Sequence, residues 1–252
     1  MFADVLAFVS PVISPVRLVL WLHIAFGFAA FAIAPVALVT RKGGAAHRRW
    51  GRAYFWAMSG VAATALVLSA VLPILFLALV AIFSFYAAFA AYRVLYLKDL
   101  ASGGRPKTID CAAGLVTLIG SLTLGVLGIL APSLMGIGVV RVAGRPVSVV
   151  AVAFGIVGVA LAVLTMRHFV RRPREKMFWW YAHMQGMLAS YVAAWSAFSA
   201  VNLTRVFGPV WWVWLWPTLL GTPAIVIWIT YYKLKFNRRT ATASPVVPTP
   251  AV

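Results

Sequence analysis

Residues 18–72 read LVLWLHIAFGFAAFAIAPVALVT, then RKGGAAHRRWGR, then AYFWAMSGVAATALVLSAVL: 23 residues without Asp, Glu, Lys or Arg, 12 residues holding five cations, and 20 more without a charge. A run of about 20 apolar residues matches a hydrocarbon layer of about 30 Å when helical. Helix is the form such a run takes in lipid, because its backbone N–H and C=O groups must find partners within the segment. The 12-residue interval (Arg41, Lys42, Gly43, Gly44, Ala45, Ala46, His47, Arg48, Arg49, Trp50, Gly51, Arg52) is then a basic connection between two spans.

The same alternation continues outward. Apolar runs cover 18–40, 53–72, 74–96, 111–131, 148–166, 178–204 and 210–232, and each is long enough to span as a helix. Of 22 Lys and Arg, eighteen fall in four clusters: Arg41, Lys42, Arg48, Arg49 and Arg52; Arg93, Lys98, Arg105 and Lys107; Arg167, Arg171, Arg172, Arg174 and Lys176; Lys233, Lys235, Arg238 and Arg239. Arg17, Arg141, Arg145 and Arg205 remain for the other side. Because Lys and Arg beside spans are retained on the cytoplasmic face, this alternation predicts an all-α polytopic bundle of seven transmembrane helices, N-terminus outside and C-terminus cytoplasmic. The expected location is a bacterial cytoplasmic (inner) membrane. Residues 1–236 form one transmembrane domain. Residues 237–252, rich in Pro, Ser and Thr, read as a disordered cytoplasmic tail.

Composition agrees. In 252 residues, 63% are hydrophobic and 10% charged, far from the soluble average. The net charge of +18 does not indicate nucleic-acid binding, which needs basic residues on a face that can follow phosphates. Here the cations sit between spans, so the expected partners are membrane lipids, with anionic headgroups at the cytoplasmic face. Cys111 is the sole cysteine, so no intramolecular disulfide forms. Asp4 stands where a leader has a basic n-region, and Pro11 and Pro15 interrupt the apolar stretch, making the N-terminus a poor cleavable signal peptide. Pro73 marks a tight turn between the second and third spans, which pair as an antiparallel hairpin. Trp and Tyr where runs meet connections are interfacial anchors.

Chemistry-bearing residues are few. Asp4, Asp99, Asp110 and Glu175 are the only carboxylates, and all fall outside the apolar runs. Intramembrane carboxylates for cation coupling and paired acids for hydrolysis are therefore missing, and no enzyme site is visible. Four histidines remain. His23 lies about five residues into the first span and His183 about five into the sixth from the opposite side, so at least about 15 Å of depth separates them. His47 and His168 sit in connections or at span ends, where with His183 they converge near the inner face as possible haem or metal ligands. His23 shares a helix face with Gly27, Ala30 and Ala34. His183 is followed by Gly186, Ser190 and Ala194, faces that let helices approach closely and also leave clearance for a haem plane. Arg48 and Arg52, beside the flexible Gly43 and Gly44, offer a site for an anionic group. Gln185, Ser190, Tyr191, Ser196, Ser199 and Asn202 make the sixth span polar, as expected of a helix central in the bundle.

The stretch Leu22-His23-x-x-x-Gly27, then Pro35, then Arg41-Lys42-Gly43-Gly44-x-x-His47-Arg48-Arg49-x-Gly51-Arg52-x-Tyr54, with His183-Met184-x-Gly186-Met187-x-x-Ser190-Tyr191 and Val201-Asn202, resembles a family of bacterial multi-pass membrane proteins known only as a domain of unknown function. A looser similarity, a histidine near the start of a span followed by a basic loop with another histidine, is to the b561-like haem cytochromes. That similarity implies haem b and electron transfer. The unequal depths of His23 and His183 limit it to one inner-side haem, not two depth-matched ones. Three functions are expected in order: a non-enzymatic structural, binding or accessory membrane protein; a haem-binding electron-transfer protein using the inner histidines; and a small-solute permease with His23 and the polar face of the sixth span lining its path.

Overall fold

The structure is a computed structural model that describes residues 15–72, 74–130, 141–142, 145–146, 148–208 and 210–242. Among these residues the chain forms seven long helices: α1 Pro15–Val39, α2 Ala45–Val71, α3 Leu75–Arg93, α4 Thr108–Leu130, α5 Ser148–Val170, α6 Phe178–Phe207 and α7 Trp212–Thr242. Two 3₁₀ turns, Val94–Tyr96 and Lys98–Ser102, follow α3, and a short antiparallel pair, Arg141–Val142 with Arg145–Pro146, precedes α5. The expected seven helices are present. Six stretches are long and apolar enough to cross a membrane: α1, α2, Leu75–Tyr96, α4, α5 and Trp212–Phe236.

The exception is α6. Its 30 residues reach about 45 Å, ample for a bilayer, but it is too polar to qualify on hydropathy. Its buried hydroxyls face protein, while Gln185 is exposed. Ser190, Ser196 and Ser199 are buried; Ser190 Oγ meets Tyr54 Oη at 2.8 Å, Ser199 Oγ donates to the Val213 carbonyl at 2.6 Å, and Trp216 Nε1 donates to Ser199 Oγ at 2.6 Å. α6 packs chiefly against α3 and α7 and lightly against α1; the central position expected of the sixth span is held by α3, which meets α2, α4, α5 and α6.

The burial pattern is inverted relative to a protein dissolved in water. On α4, Leu115, Ile119, Leu122, Val126 and Ile129 recur at helical spacing and are all at least half exposed, while Gly114, Thr117, Gly120, Ser121 and Gly128 are buried. On this helix most large apolar side chains point out and small or weakly polar ones point in, with Leu124 buried as an exception. Lipid-solvated helices associate this way, because they gain by close backbone approach and not by hiding apolar surface.

The α4–α5 contact shows how close that approach is. A methyl group at Gly155 would lie 2.7 Å from the Gly125 backbone and 3.0 Å from the Ser121 carbonyl, whereas one at Gly125 would meet only the Gly155 Cα at 3.8 Å. Gly155→Ala is therefore expected to destabilise the bundle by about 1–3 kcal/mol through overpacking, and Gly125→Ala to be close to neutral. Thermal unfolding of both variants in one detergent tests the asymmetry. Equal shifts would contradict this packing.

Element boundaries correct the sequence reading in two places. α2 begins at Ala45, eight residues before the expected run, so His47, Arg48, Arg49 and Arg52 stand on helix and the α1–α2 connection is only residues 40–44. A helix has no need to end where the apolar stretch ends, since charged side chains at its end reach water. α7 runs to Thr242, six residues into the stretch read as a disordered tail. The N-terminal segment including Asp4, the turn residue Pro73 and the tail beyond residue 242 lie outside the described residues. The connections 40–44, 94–107 and 171–177 gather at one end of the bundle, where Val94, Leu97, Leu100 and Phe178 pack together. Lys233 of α7 reaches the same end, bonding Glu175 at 3.0 Å. Phe76, Val150 and Leu215 meet near the opposite end.

Candidate functional site

Two imidazoles meet at the basic end. Gly43 has φ of +77°, a conformation costly to any residue with a Cβ, and the Gly44 N–H bonds back to the Arg41 carbonyl at 3.0 Å. This tight turn starts α2 at Ala45 and sets His47 in its first turn, directly over the end of α1. The last carbonyls of a helix lack partners in their own ladder. Thr40 Oγ1 donates to the Ala37 carbonyl at 2.9 Å, Lys42 Nζ donates to the Leu38 carbonyl, and His47 Nδ1 lies 3.0 Å from the Ala37 carbonyl. Partial burial pushes the Lys42 ammonium below its ordinary pKa.

His183 is held in the same way by another helix end. In the last turn of α3, the Ala91 carbonyl lies 2.8 Å from His183 Nδ1. The rings of His47 and His183 are 6.3 Å apart between centroids, with planes crossed at 81°. A carbonyl only accepts, so in both residues Nδ1 carries the proton and donates it. With Nδ1 engaged, Nε2 is the ring atom left to bind a ligand. An Nδ1–H to carbonyl bond is the usual outer support of a metal-binding histidine, fixing both tautomer and orientation.

Around this pair, Tyr54 and Ser190 lie seven residues further along α2 and α6, about 10.5 Å deeper, and their 2.8 Å hydrogen bond repeats the register set by the histidines. Between the two levels Gly51, one turn on from His47, has nothing within 4 Å of the position a Cβ would take. Arg48 is exposed, its guanidinium donating to the Gly43 carbonyl at 2.6 Å, and Arg52 is exposed on the same helix.

The other candidates lie elsewhere. His168, in the last turn of α5, packs its ring on Phe178 with centroids 5.6 Å apart. The three imidazoles expected to converge are thus a pair and an outlier, and among the described residues no group of three or more His, Cys, Asp or Glu forms a metal site. His23 Nδ1 bonds Thr64 Oγ1 at 2.9 Å and the Val61 carbonyl at 3.2 Å, tying α1 to α2. Gly27, one turn on, has nothing within 4 Å of its Cβ position, while Ala30 and Ala34 are buried against Tyr54, Ala57 and Met58. Asn202 is turned back on its own helix, donating to the Phe198 carbonyl at 2.8 Å.

Two features near the pair escaped sequence reasoning. The anchoring carbonyls of Ala37 and Ala91 have no side-chain signature. Asp110, read as lying outside any span, is 2% exposed in the first turn of α4 and binds Arg93 with both oxygens, at 2.6 and 2.9 Å. It also accepts the Lys107 N–H at 2.9 Å, the reach-back half of a capping box. The three-residue spacing of Lys107 and Asp110 is the signal that could have revealed it.

Set against protein-family models, curated proteins and solved structures, the chain matches nothing in any of the three comparisons.

Proposed function

We propose that this protein is a non-enzymatic, seven-span bacterial inner-membrane protein that binds one b-type haem between His47 and His183, at the cytoplasmic side, and serves in electron transfer. The observation that carries this reading is the crossed imidazole pair with both Nδ1 atoms tied to helix-end carbonyls. Nε2 of His47 and Nε2 of His183 would hold the haem iron, their rings standing 6.3 Å apart between centroids. Two side-chain donors are too few for a tetrahedral zinc site, whereas histidine is a usual holder of haem iron.

Such a haem supplies one-electron exchange at its iron. The chain's own residues do the rest. The Ala37 and Ala91 carbonyls hold the rings in orientation and raise the basicity of Nε2. Gly51 leaves clearance beside His47. Lys42, Arg48 and Arg52 stand close enough along the chain to offset the two carboxylates of the porphyrin. The test is the absorbance spectrum of protein purified after haem-replete expression, taken before and after reduction. A Soret band with sharpened visible bands on reduction is expected; a colourless preparation rejects the reading.

The orientation is tested separately. Single cysteines placed at Arg48 and Arg172, in a Cys111→Ser background, are expected to be protected from an impermeant thiol reagent in intact cells, and one at Arg205 to be labelled. Opposite behaviour of Arg48 and Arg172 would reject seven spans with alternating basic connections.

A further inference from the structure

A cavity of about 1620 Å³ opens along the bundle, lined from α1, α2, α3, α5, α6 and α7. Pockets for small ligands measure about 300–1,000 Å³, so this one suits a larger occupant. Along α7 its lining runs from Trp211 to Lys233, about 33 Å, close to the thickness of a hydrocarbon core. The wall is mostly aliphatic, with charge confined to the two ends. At the basic end Lys233 is already paired with Glu175. At the opposite end Arg205, in the last turn of α6, lines the cavity together with Thr204, Trp211 and Arg17.

We propose that this cavity holds one molecule of an anionic phospholipid, its acyl chains along the aliphatic wall and its phosphate at Arg205, accepting from the guanidinium. Charge complementarity fixes the polarity of the occupant. The phosphate belongs at the end whose arginine faces the cavity, not at the end where lysine is committed to glutamate. The site is independent of His47 and His183, and the haem reading can fail without touching it.

Native mass spectrometry tests the proposal with full-length protein released from nanodiscs of phosphatidylcholine containing a minor fraction of phosphatidylglycerol with identical acyl chains. One phosphatidylglycerol is expected to be retained far above its share. Arg205→Ala should lower that retention about tenfold, in line with the loss of a charge-assisted contact. Ala193→Phe, which fills the lining away from the headgroup, should lower it too, and Lys233→Ala should leave it unchanged. Retention in proportion to abundance, persistence of the preference in both the Arg205→Ala and Ala193→Phe proteins, or its loss in Lys233→Ala would each overturn the proposal.

Discussion

Replacing His183 with alanine is expected to bleach the protein: the Soret absorbance per mole falls to less than a tenth of the parent's, while the helical circular-dichroism signal is retained. Among the described residues His183 is tied to the Ala91 carbonyl alone, so its loss leaves one carbonyl at the end of α3 without that donor. That is a cost of about 1–3 kcal/mol, which a bundle of this size can absorb. If His183 holds the iron as proposed, nothing replaces it: His168 packs on Phe178, and among the described residues no group of three or more His, Cys, Asp or Glu forms a metal site. His168→Ala should therefore keep full colour. His47→Ala should behave like His183→Ala, and imidazole added to either variant should restore part of the spectrum by standing in for the missing side chain. A packing role alone cannot produce that rescue. Full colour in His183→Ala would refute the ligand assignment even if the parent binds haem.

Why the sequence foretold this site only in part follows from what each signal depends on. The seven helices were legible because solvent choice and length are properties of a run: apolar stretches such as 148–166 admit no other fold in lipid. The convergence of His47 and His183 followed from depth along alternating spans, which the basic clusters report. His168 satisfied the same depth rule and yet stands apart, because depth says nothing about which way a residue faces around its helix. The carbonyls of Ala37 and Ala91 were invisible for a different reason. Any residue carries one, and only tertiary geometry decides which helix-end carbonyl meets an imidazole. The early start of α2 was missed because hydropathy marks where lipid ends, not where helix ends, and Arg48, Arg49 and Arg52 are compatible with a helix that emerges into water. The interlocking glycines of α4 and α5 were readable in principle, since Gly125 and Gly155 sit among small residues at helical spacing, but only the pairing of those two helices gives that spacing its meaning.

The second large effect is expected at Asp110, and it connects the framework to the imidazoles. Asp110→Ala removes the bidentate partner of Arg93 and the acceptor for the Lys107 N–H in one step. Removing one partner of a buried ion pair strands the other and typically costs about 3–5 kcal/mol. Arg93 keeps some contact with solvent, 19% of its side chain, and can turn toward the headgroups, so the lower part of that range is expected. Asp110→Asn retains an acceptor for both donors and should lose less than half as much. The position of the pair gives the prediction a second readout. Arg93 is the last residue of α3, two residues beyond Ala91, whose carbonyl orients His183. Releasing that end of α3 loosens the imidazole's support, and outer-sphere losses of this kind lower metal affinity by about 10–100-fold. Asp110→Ala should thus lower thermal stability and haem retention together, whereas Gly155→Ala, which meets α4 at Gly125, fifteen residues along the helix from Asp110, should lower stability alone. Equal haem loss in the two variants would show that colour follows general stability and not the orientation of His183.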